Sequence, residues 1–554
     1  MNKRAARHDE GLYFLPLGGS GEIGMNLNLY RYGGKWLMVD LGITFGDDST
    51  PGVDVLMPDP AYIVERRGDL AGLVLTHAHE DHLGAVPYLW NRLKCPVYAT
   101  PFTAAVLRRK LAEMDRPNSI PITEVPLSGK FSVGPFEIEL ITLTHSIPEP
   151  NAVAIRTPAG TVLHTGDWKI DPKPMIGDVT DEEALRALGQ DGVLAMVCDS
   201  TNALQPGHSR SEGDLRESLV EVVGRFDKRV AIGCFSSNIA RLETIAHVAE
   251  KTGRHPALVG RSLWRMYEAA QDSGYLKGIT FLSDSDGAHL PRDKVLLACT
   301  GSQGEKRSAL WRIAADDHPN VVLEQGDAVI FSSRVIPGNE KSIQRLQNQL
   351  VGLGVKIVTD DDAFVHVSGH PNQDELTQMY QWVRPRIAVP VHGEIRHMRA
   401  HAALARACQV PEAIVPQNGT LVRLAPGPAE IVEEVPAGRL ALDGALLVPL
   451  DAEILRKRTQ MIWNGSAVAT VVLDRHGRLA AEPQLTLQGL FDGVGIEEAI
   501  TDATDAVRDA IEAMPSRQRA NDDAVREAAR VAVRRAIQAS HGKRPPTEVH
   551  LVRL

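Results

Sequence analysis

Six consecutive residues, His77-Ala78-His79-Glu80-Asp81-His82, bring three imidazoles and two carboxylates together directly after the apolar run Leu73-Val74-Leu75. Imidazole nitrogen and carboxylate oxygen are the donors that a borderline divalent ion such as zinc takes, so the stretch is suited to hold metal. On a loop leaving a strand end, His77 and His79 can face one ion while Asp81 and His82, on the first turn of the next helix, serve a second. Two ions about 4 Å apart clamp a hydroxide and a phosphoryl group between them, which is hydrolytic chemistry. Two single residues extend the set. His145 closes the strand-like run from Ile138 to Thr144, and Asp167 follows Val162-Leu163-His164-Thr165-Gly166. Asp167 has two oxygens to share between two cations and is the better bridging ligand; His164 is the nearby alternative.

The elements around these residues alternate. From Leu12 to about Ala99 the pattern runs through strands, the ligand loop, a helix beginning near Leu83 and a strand at Pro96 to Ala99, followed by a helix from Thr103 to Met114 and strands from Phe136 to Thr144. This order predicts an α/β sandwich whose strand ends carry ligands. Gly19-Ser20-Gly21-Glu22-Ile23-Gly24 matches the dinucleotide-binding GxGxxG, with Asp40 about where a ribose-binding acid would lie. The context argues against it: Leu27 to Tyr32 and Lys35 to Val39 read as strands, where a dinucleotide site needs a helix opening on the glycines. Asp40 ends a strand beside the metal stretch.

Composition sets the limits. The chain has 554 residues, too many for one hydrophobic core, and 43% of them are hydrophobic, so several globular domains are expected. Five scattered cysteines, Cys95, Cys198, Cys234, Cys299 and Cys408, have no CxxC spacing and argue against a disulfide framework or a cysteine zinc site. Met1-Asn2-Lys3-Arg4 is basic but has no apolar segment after it, and no run approaches a membrane span, so a cytoplasmic protein is expected. The net charge of -10 gives no general affinity for nucleic acid. Basic clusters such as Arg108-Arg109-Lys110, Lys306-Arg307, Arg456-Lys457-Arg458 and Arg534-Arg535 read as solvated faces.

The order HxHxDH, His145, then Asp167 in Thr-Gly-Asp resembles the metallo-β-lactamase superfamily of hydrolases. Further motifs narrow the resemblance: Cys198-Asp199-Ser200-Thr201-Asn202, Pro206 to Glu212, Thr300-Gly301-Ser302-Gln303-Gly304-Glu305, Ile336-Pro337-Gly338-Asn339-Glu340, His366-Val367-Ser368-Gly369-His370 and Pro390-Val391-His392-Gly393-Glu394. Together they resemble the β-CASP nucleases and, among those, most closely the bacterial ribonuclease J family. The resemblance implies that His77, His79 and His145 hold one zinc, that Asp81, His82 and His392 hold the other, and that Asp167 bridges. It implies two Zn2+ per subunit, with Mn2+ or Mg2+ as cellular alternatives. Asp199 and His370 match the acidic and histidine motifs of the group and are the expected catalytic residues. The segment His366, Val367, Ser368, Gly369 and His370 is expected to contact substrate phosphate. Small side chains between two imidazoles also make an anion pocket on physical grounds.

The expected fold class is α/β: a metallo-β-lactamase αββα sandwich with an inserted β-CASP α/β domain and a small α+β C-terminal domain. The sandwich is expected over residues 1–210 and again over 366–425, the insertion over 211–365, a linker over 426–449 and the last domain over 450–554. Within the insertion, Phe235-Ser236-Ser237-Asn238 and Phe331-Ser332-Ser333-Arg334 place hydroxyls after strands, as helix caps or as phosphate cradles at helix N-termini. Pro426 to Pro436 reads as a hinge. In the last domain Ile496, Ala499, Ile500, Ala503, Val507, Ile511 and Met514 share one helix face. Through the resemblance the expectation is a zinc-dependent ribonuclease with 5′→3′ exonuclease and endonuclease activity on single-stranded, preferentially 5′-monophosphorylated RNA, in ribosomal RNA maturation and messenger decay. It implies a homodimer or homotetramer, degradosome proteins as partners and a structural Ca2+ near Gly52, Asp54 and Asp443. A DNA-processing β-CASP nuclease and a non-catalytic RNA-binding subunit are the other readings.

Overall fold

The computed structural model describes residues 11–47, 49–493 and 495–554; the basic stretch Met1-Asn2-Lys3-Arg4 lies outside them. Of the described residues, 11–44 with 56–439 form one compact unit, and those of 45–55 with those of 440–554 a second.

The first unit is built on two facing sheets. One has eight strands in the order Glu430–Glu434, Thr420–Ala425, Leu12–Gly18, Leu27–Tyr32, Lys35–Val39, Leu70–Val74, Val97–Ala99 and Ile122–Glu124. The other has seven: Lys130–Val133, Phe136–Thr142, Asn151–Thr157, Gly160–His164, Ala195–Asp199, Ile387–Val391 and Glu412–Ala413. Side chains alternate across each strand, so one face fills the space between sheets and the other meets helices. In Ala195–Asp199, Ala195 and Val197 join Phe14, Tyr30, Val39 and Val74 between the sheets. Met196 and Cys198 join Leu185, Leu188, Leu376, Met379 and Trp382 beneath the outer helices. A near-continuous apolar run is what a strand covered on both faces requires.

The insertion leaves this sheet after Asp199 and returns before Ile387. Its five strands are all parallel, in the order His255–Val259, Val295–Cys299, Val230–Gly233, Ala328–Phe331 and Lys356–Val358. Helices Glu212–Val223, Ile239–Lys251, Arg261–Asp272 and Glu340–Gly352 connect them. Asn238 caps Ile239–Lys251 by accepting from the Arg241 amide at 2.8 Å.

Pro426 to Pro436, expected as a hinge, instead contains a strand. Gly427 takes a positive φ of 86° and turns the chain back, so that Glu430–Glu434 pairs antiparallel with Thr420–Ala425. Proline at the ends of a turn does not prevent pairing of the residues between.

In the second unit, Ser466–Leu473 pairs with Gln484–Gln488 and with Thr547–Arg553. Helices Ile496–Glu512 and Asp522–His541 pack on one face of that sheet through Ala499, Ala503, Val507, Ile511, Val525, Ala529, Val533 and Ile537. Among the described residues no helix is long and apolar enough to cross a membrane.

Candidate metal centre

Every strand that carries a candidate ligand ends at the same edge of the sandwich. Gly160–His164, Ala195–Asp199 and Ile387–Val391 run parallel and side by side, so Asp167, Asp199 and His392 emerge together. Phe136–Thr142 runs the same way, two antiparallel pairings removed, and delivers His145. From the facing sheet Leu70–Val74 delivers His77 to His82; where one helix beginning near Leu83 was expected, a separate turn Glu80–Leu83 carries Asp81 and His82 and the helix proper is Val86–Leu93. Ligands collect outside the carboxyl ends of parallel strands in α/β folds because the loops converge there.

Three overlapping donor groups result among the described residues, each with ligand atoms within 4.8 Å of one another. Two match the expected half-sites: His77, His79, His145 and Asp167 form one, and Asp81, His82, Asp167 and His392 the other. The third joins Asp167 and His392 to Asp199 and His370, so Asp167 belongs to all three. Its Oδ2 lies 3.9 Å from His77 Nε2, 4.0 Å from His145 Nε2, 3.2 Å from His82 Nε2 and 3.5 Å from His392 Nε2. Its Oδ1 is buried without a hydrogen-bond partner. A buried carboxylate oxygen left unpaired among imidazole nitrogens fits a cation. Nitrogens that cannot all be donors also approach closely: His79 Nδ1 lies 3.1 Å from His77 Nε2 and 3.2 Å from His145 Nε2.

An outer layer fixes which nitrogen of each ring faces inward. His82 Nδ1 donates to Asp40 Oδ2 at 2.7 Å, His392 Nδ1 to Asn26 Oδ1 at 3.1 Å, and His145 Nδ1 to the Gly369 carbonyl at 2.5 Å. His77 Nδ1 meets Thr76 Oγ1 at 3.0 Å. In each ring this leaves Nε2 for a metal, the arrangement that orients ligating histidines. Asp40 is itself held by the Thr76 amide and hydroxyl at 2.8 and 2.9 Å. Gly369 approaches so closely that a Cβ there would lie 2.4 Å from the His145 ring.

Charge is divided between the donor groups: burial lowers His82, but Asp167, Asp81 and Asp40 override it and hold that imidazole well above its usual range. Burial pushes His79 down to about 4 and, with neighbouring imidazoles, holds His77 and His145 well below the usual range, so all three are neutral donors. Burial works against the charge on Asp167, but His392, His82 and His370 around it hold its carboxyl well below the usual carboxylate range. His370 sits against the same carboxylate, with Nδ1 3.9 Å from Asp167 Oδ2 and 2.7 Å from Asp199 Oδ2. Burial alone lowers His370, and Asp199 followed by Asp167 overrides it to about 9. Asp199 also accepts from the Thr201 amide at 2.8 Å through its other oxygen, so it both closes a turn and orients His370.

His164, the alternative to Asp167, is outside all three donor groups; its Nδ1 meets the Tyr30 hydroxyl at 2.8 Å. The segment His366 to His370, expected to contact substrate, folds beside the centre through Asn202, whose Nδ2 donates to Ser368 Oγ at 2.9 Å, the His370 carbonyl at 3.1 Å and Asn372 Oδ1 at 3.2 Å. Asn202 Oδ1 accepts from Arg334. Ser332, a candidate phosphate contact, is occupied structurally: its hydroxyl donates to the Val365 carbonyl at 2.5 Å and meets Arg241. Where calcium was expected, Asp443 accepts from Arg458 Nη2 on both oxygens at 3.0 Å, and the same guanidinium lies against Gly52. A cation already neutralises that carboxylate. Asp40, Asn26 and Asn202 were not assigned these roles from sequence, because each acts on residues far away in the chain; the strand-ending position of Asp40 was the only signal.

Comparison with known proteins decides the family. Residues 25–231 match the metallo-β-lactamase superfamily, 227–350 the ribonuclease J β-CASP domain, 338–414 the Zn-dependent metallo-hydrolase RNA specificity domain and 453–554 the ribonuclease J C-terminal domain. Over 566 residues the chain is 46% identical to ribonuclease J of Sinorhizobium meliloti, covering 100% of both chains. The chain belongs to the ribonuclease J family. Within that family it is also 40% identical to ribonuclease J of Corynebacterium glutamicum over 87% of this chain and 68% of that one. The Thermus thermophilus ribonuclease J is 38% identical over 83% and 82% of the two chains. A crystal structure of a protein of unknown function from Enterococcus faecalis V583 aligns with a TM-score of 0.53 at 16% identity, over 74% of this chain and 100% of that one, a likeness of fold alone. Membership in the ribonuclease J family makes the chain a metal-dependent ribonuclease.

Proposed function

We propose that this ribonuclease cleaves single-stranded RNA with two zinc ions, working both as a 5′→3′ exonuclease and as an endonuclease in RNA maturation and decay. The observation that carries the two-ion part is Asp167, shared between the two half-site groups and left with one buried oxygen unpaired. His77, His79 and His145 would hold one ion, Asp81, His82 and His392 the other, and Asp167 both. The nitrogen-rich donor set favours zinc, with Mn2+ or Mg2+ as cellular substitutes. Ions bound there supply an activated water and neutralise charge on the phosphoryl oxygens.

The chain's own residues do the rest. Asp199 holds His370 Nδ1, which leaves Nε2 to move a proton at the leaving 3′-oxygen. Against the lowering by burial, Asp199, hydrogen-bonded to the ring, pushes that imidazole upward, the direction that favours a proton donor. The products would carry 5′-phosphate and 3′-hydroxyl ends. His366 to His370 would bind the terminal phosphate. In support, burial holds the His366 imidazole well below its usual range and Arg334 lies close enough to add to this; that guanidinium is met by the neutral Asn202 amide oxygen, while Arg241 and Lys169 nearby are paired with Glu212 and Asp171. Self-association into a homodimer or homotetramer is supported by Ile454, Met461, Ile462 and Trp463, exposed on helix Glu453–Asn464. Degradosome proteins and a cytoplasmic setting complete the proposal.

Product mapping tests it. On 5′-monophosphorylated RNA the expected products are 5′-mononucleotides together with internal cuts, all lost with a chelator and restored by Zn2+ or Mn2+. A 5′-triphosphate should slow the exonucleolytic phase. Equal rates on the two RNA ends would refute the terminal pocket, and equal digestion of matched single-stranded DNA would favour a DNA-processing enzyme.

A further inference from the structure

Glu80 sits inside the metal-binding stretch, but it belongs to none of the donor groups. Its backbone joins His79, a member of one half-site, to Asp81, a member of the other. Its carboxylate turns away from the centre to meet two cations. Lys110 Nζ, only 11% exposed, donates to Glu80 Oε2 from helix Pro101–Glu113 of the sandwich. Arg265 Nη2, on helix Arg261–Asp272 of the β-CASP insertion, lies 4.0 Å from Glu80 Oε1. Gly84 leaves room for this carboxylate: a Cβ there would stand 2.5 Å from Glu80 Oε2.

The same two helices are joined by further ion pairs. Arg109 meets Glu268 at 2.6 Å and also Asp272, while Arg265 Nη1 meets Glu113 at 2.6 Å. The sequence alone reads Arg108-Arg109-Lys110 as a solvated face. In the fold, Arg109 and Lys110 belong to a charge network that runs from the insertion to the ligand loop. A single exposed ion pair contributes little, but a network on two rigid helices fixes geometry. A displacement of the insertion therefore reaches Glu80 by two routes, directly through Arg265 and through Lys110 by way of Arg109.

We propose that Glu80 is a positioning residue that ties the placement of the β-CASP insertion to the spacing of the two metal half-sites, with Arg265 and Lys110 as its holders. The proposal rests on the two-ion reading above. Closure of the insertion over RNA then tightens the metal centre, and loosening of the helix pair relaxes it. The coupling weakens as salt screens the partly exposed charges.

The test uses the full-length protein, stripped of metal and titrated with Zn2+ against a chromophoric chelator, in Arg265→Ala, Arg265→Lys, Glu80→Gln and the double variant with Arg265→Ala. Arg265 touches no ligand, so its variants separate positioning from ligation. Arg265→Ala should lower affinity for at least one ion by about two- to five-fold, with Arg265→Lys near wild type. Glu80→Gln should lower it by about ten-fold or more. Adding Arg265→Ala to Glu80→Gln should change nothing further, and the unfolding midpoint of the metal-free protein should be the same in Arg265→Ala, Arg265→Lys and wild type. Unchanged zinc affinity in Arg265→Ala overturns the proposal, as does an equal further loss in the E80Q background. Should Glu80→Gln not fold, the comparison of Arg265→Ala with Arg265→Lys still decides. Fewer than two zinc ions on the wild-type chain would instead overturn the two-ion reading itself, and this proposal with it.

Discussion

Asp40 and Gly369 never need to touch a metal to govern it. Asp40 receives the His82 Nδ1 proton and is itself pinned by Thr76, so it sets the ring and the tautomer together. Asp40→Asn removes a charged acceptor and places a donor opposite a donor on one rotamer. Metal affinity or activity should fall by about 10- to 100-fold, read by metal titration and initial cleavage rates. At Gly369 the constraint is space. Gly369→Ala sets a methyl 2.4 Å from the His145 ring, so either the ring or the 366–370 segment must move. The expected outcome is loss of most cleavage with an unchanged circular dichroism spectrum; full activity would mean that the close approach is dispensable. His77 to His82 was legible in the sequence because five chemical groups lie in one hexapeptide. Asn26 was not, since its partner His392 is 366 positions away and nothing local marks an asparagine that serves a distant imidazole.

At the scale of elements, a chain of buried charges ties both crossings between sandwich and insertion. Lys169 pairs with Asp171 at 2.8 Å, and Asp171 accepts from the Ser211 hydroxyl at 2.6 Å and the Glu212 amide at 3.0 Å. Glu212 in turn faces the fully buried Arg241 at 3.3 Å, and Arg241 reaches Ser332, whose hydroxyl holds Val365. Helix Glu212–Val223 opens the outbound crossing, and Val365 lies on the return. Arg241→Met strands Glu212 as an unpaired buried charge, which costs about 3–5 kcal/mol. The midpoint of thermal unfolding should drop, and replacing Glu212 by Gln in the same chain should recover part of the loss. An apolar run bounded by a cap such as Asn238 carries its own period, which makes helix Ile239–Lys251 legible, whereas helix Arg261–Asp272 opens on Gly260 with no side-chain cap and the short strand Lys356–Val358 carries no such mark. The turn at Gly427 was misread because proline-rich stretches look the same whether they end a domain or bracket a strand.

For the whole molecule, ions held by ligands from both sheets of the sandwich would act as cross-links. Binding to the native state alone stabilises it by mass action, about 2.7 kcal/mol when free ion exceeds the dissociation constant a hundredfold. Chelation should therefore both abolish cleavage and lower the unfolding midpoint of residues 56–439, while helices Ile496–Glu512 and Asp522–His541 keep their hydrogen-exchange protection. Equal loss of protection in both parts would show that the ions support more than the unit that contains them. The architecture of stacked layers followed from alternation and length, whereas the closure of the centre by His392 followed from resemblance. No spacing rule links residues separated by an entire domain.

The strand Ile387–Val391 lies between Ala195–Asp199 and Glu412–Ala413, inside the sheet and not at its rim. A ribosome making this chain has released every other ligand long before that strand emerges. Until His392 emerges, the donor group of Asp81, His82 and Asp167 lacks its fourth member, so on the two-ion reading a nascent chain is not yet a complete nuclease beside the message that encodes it.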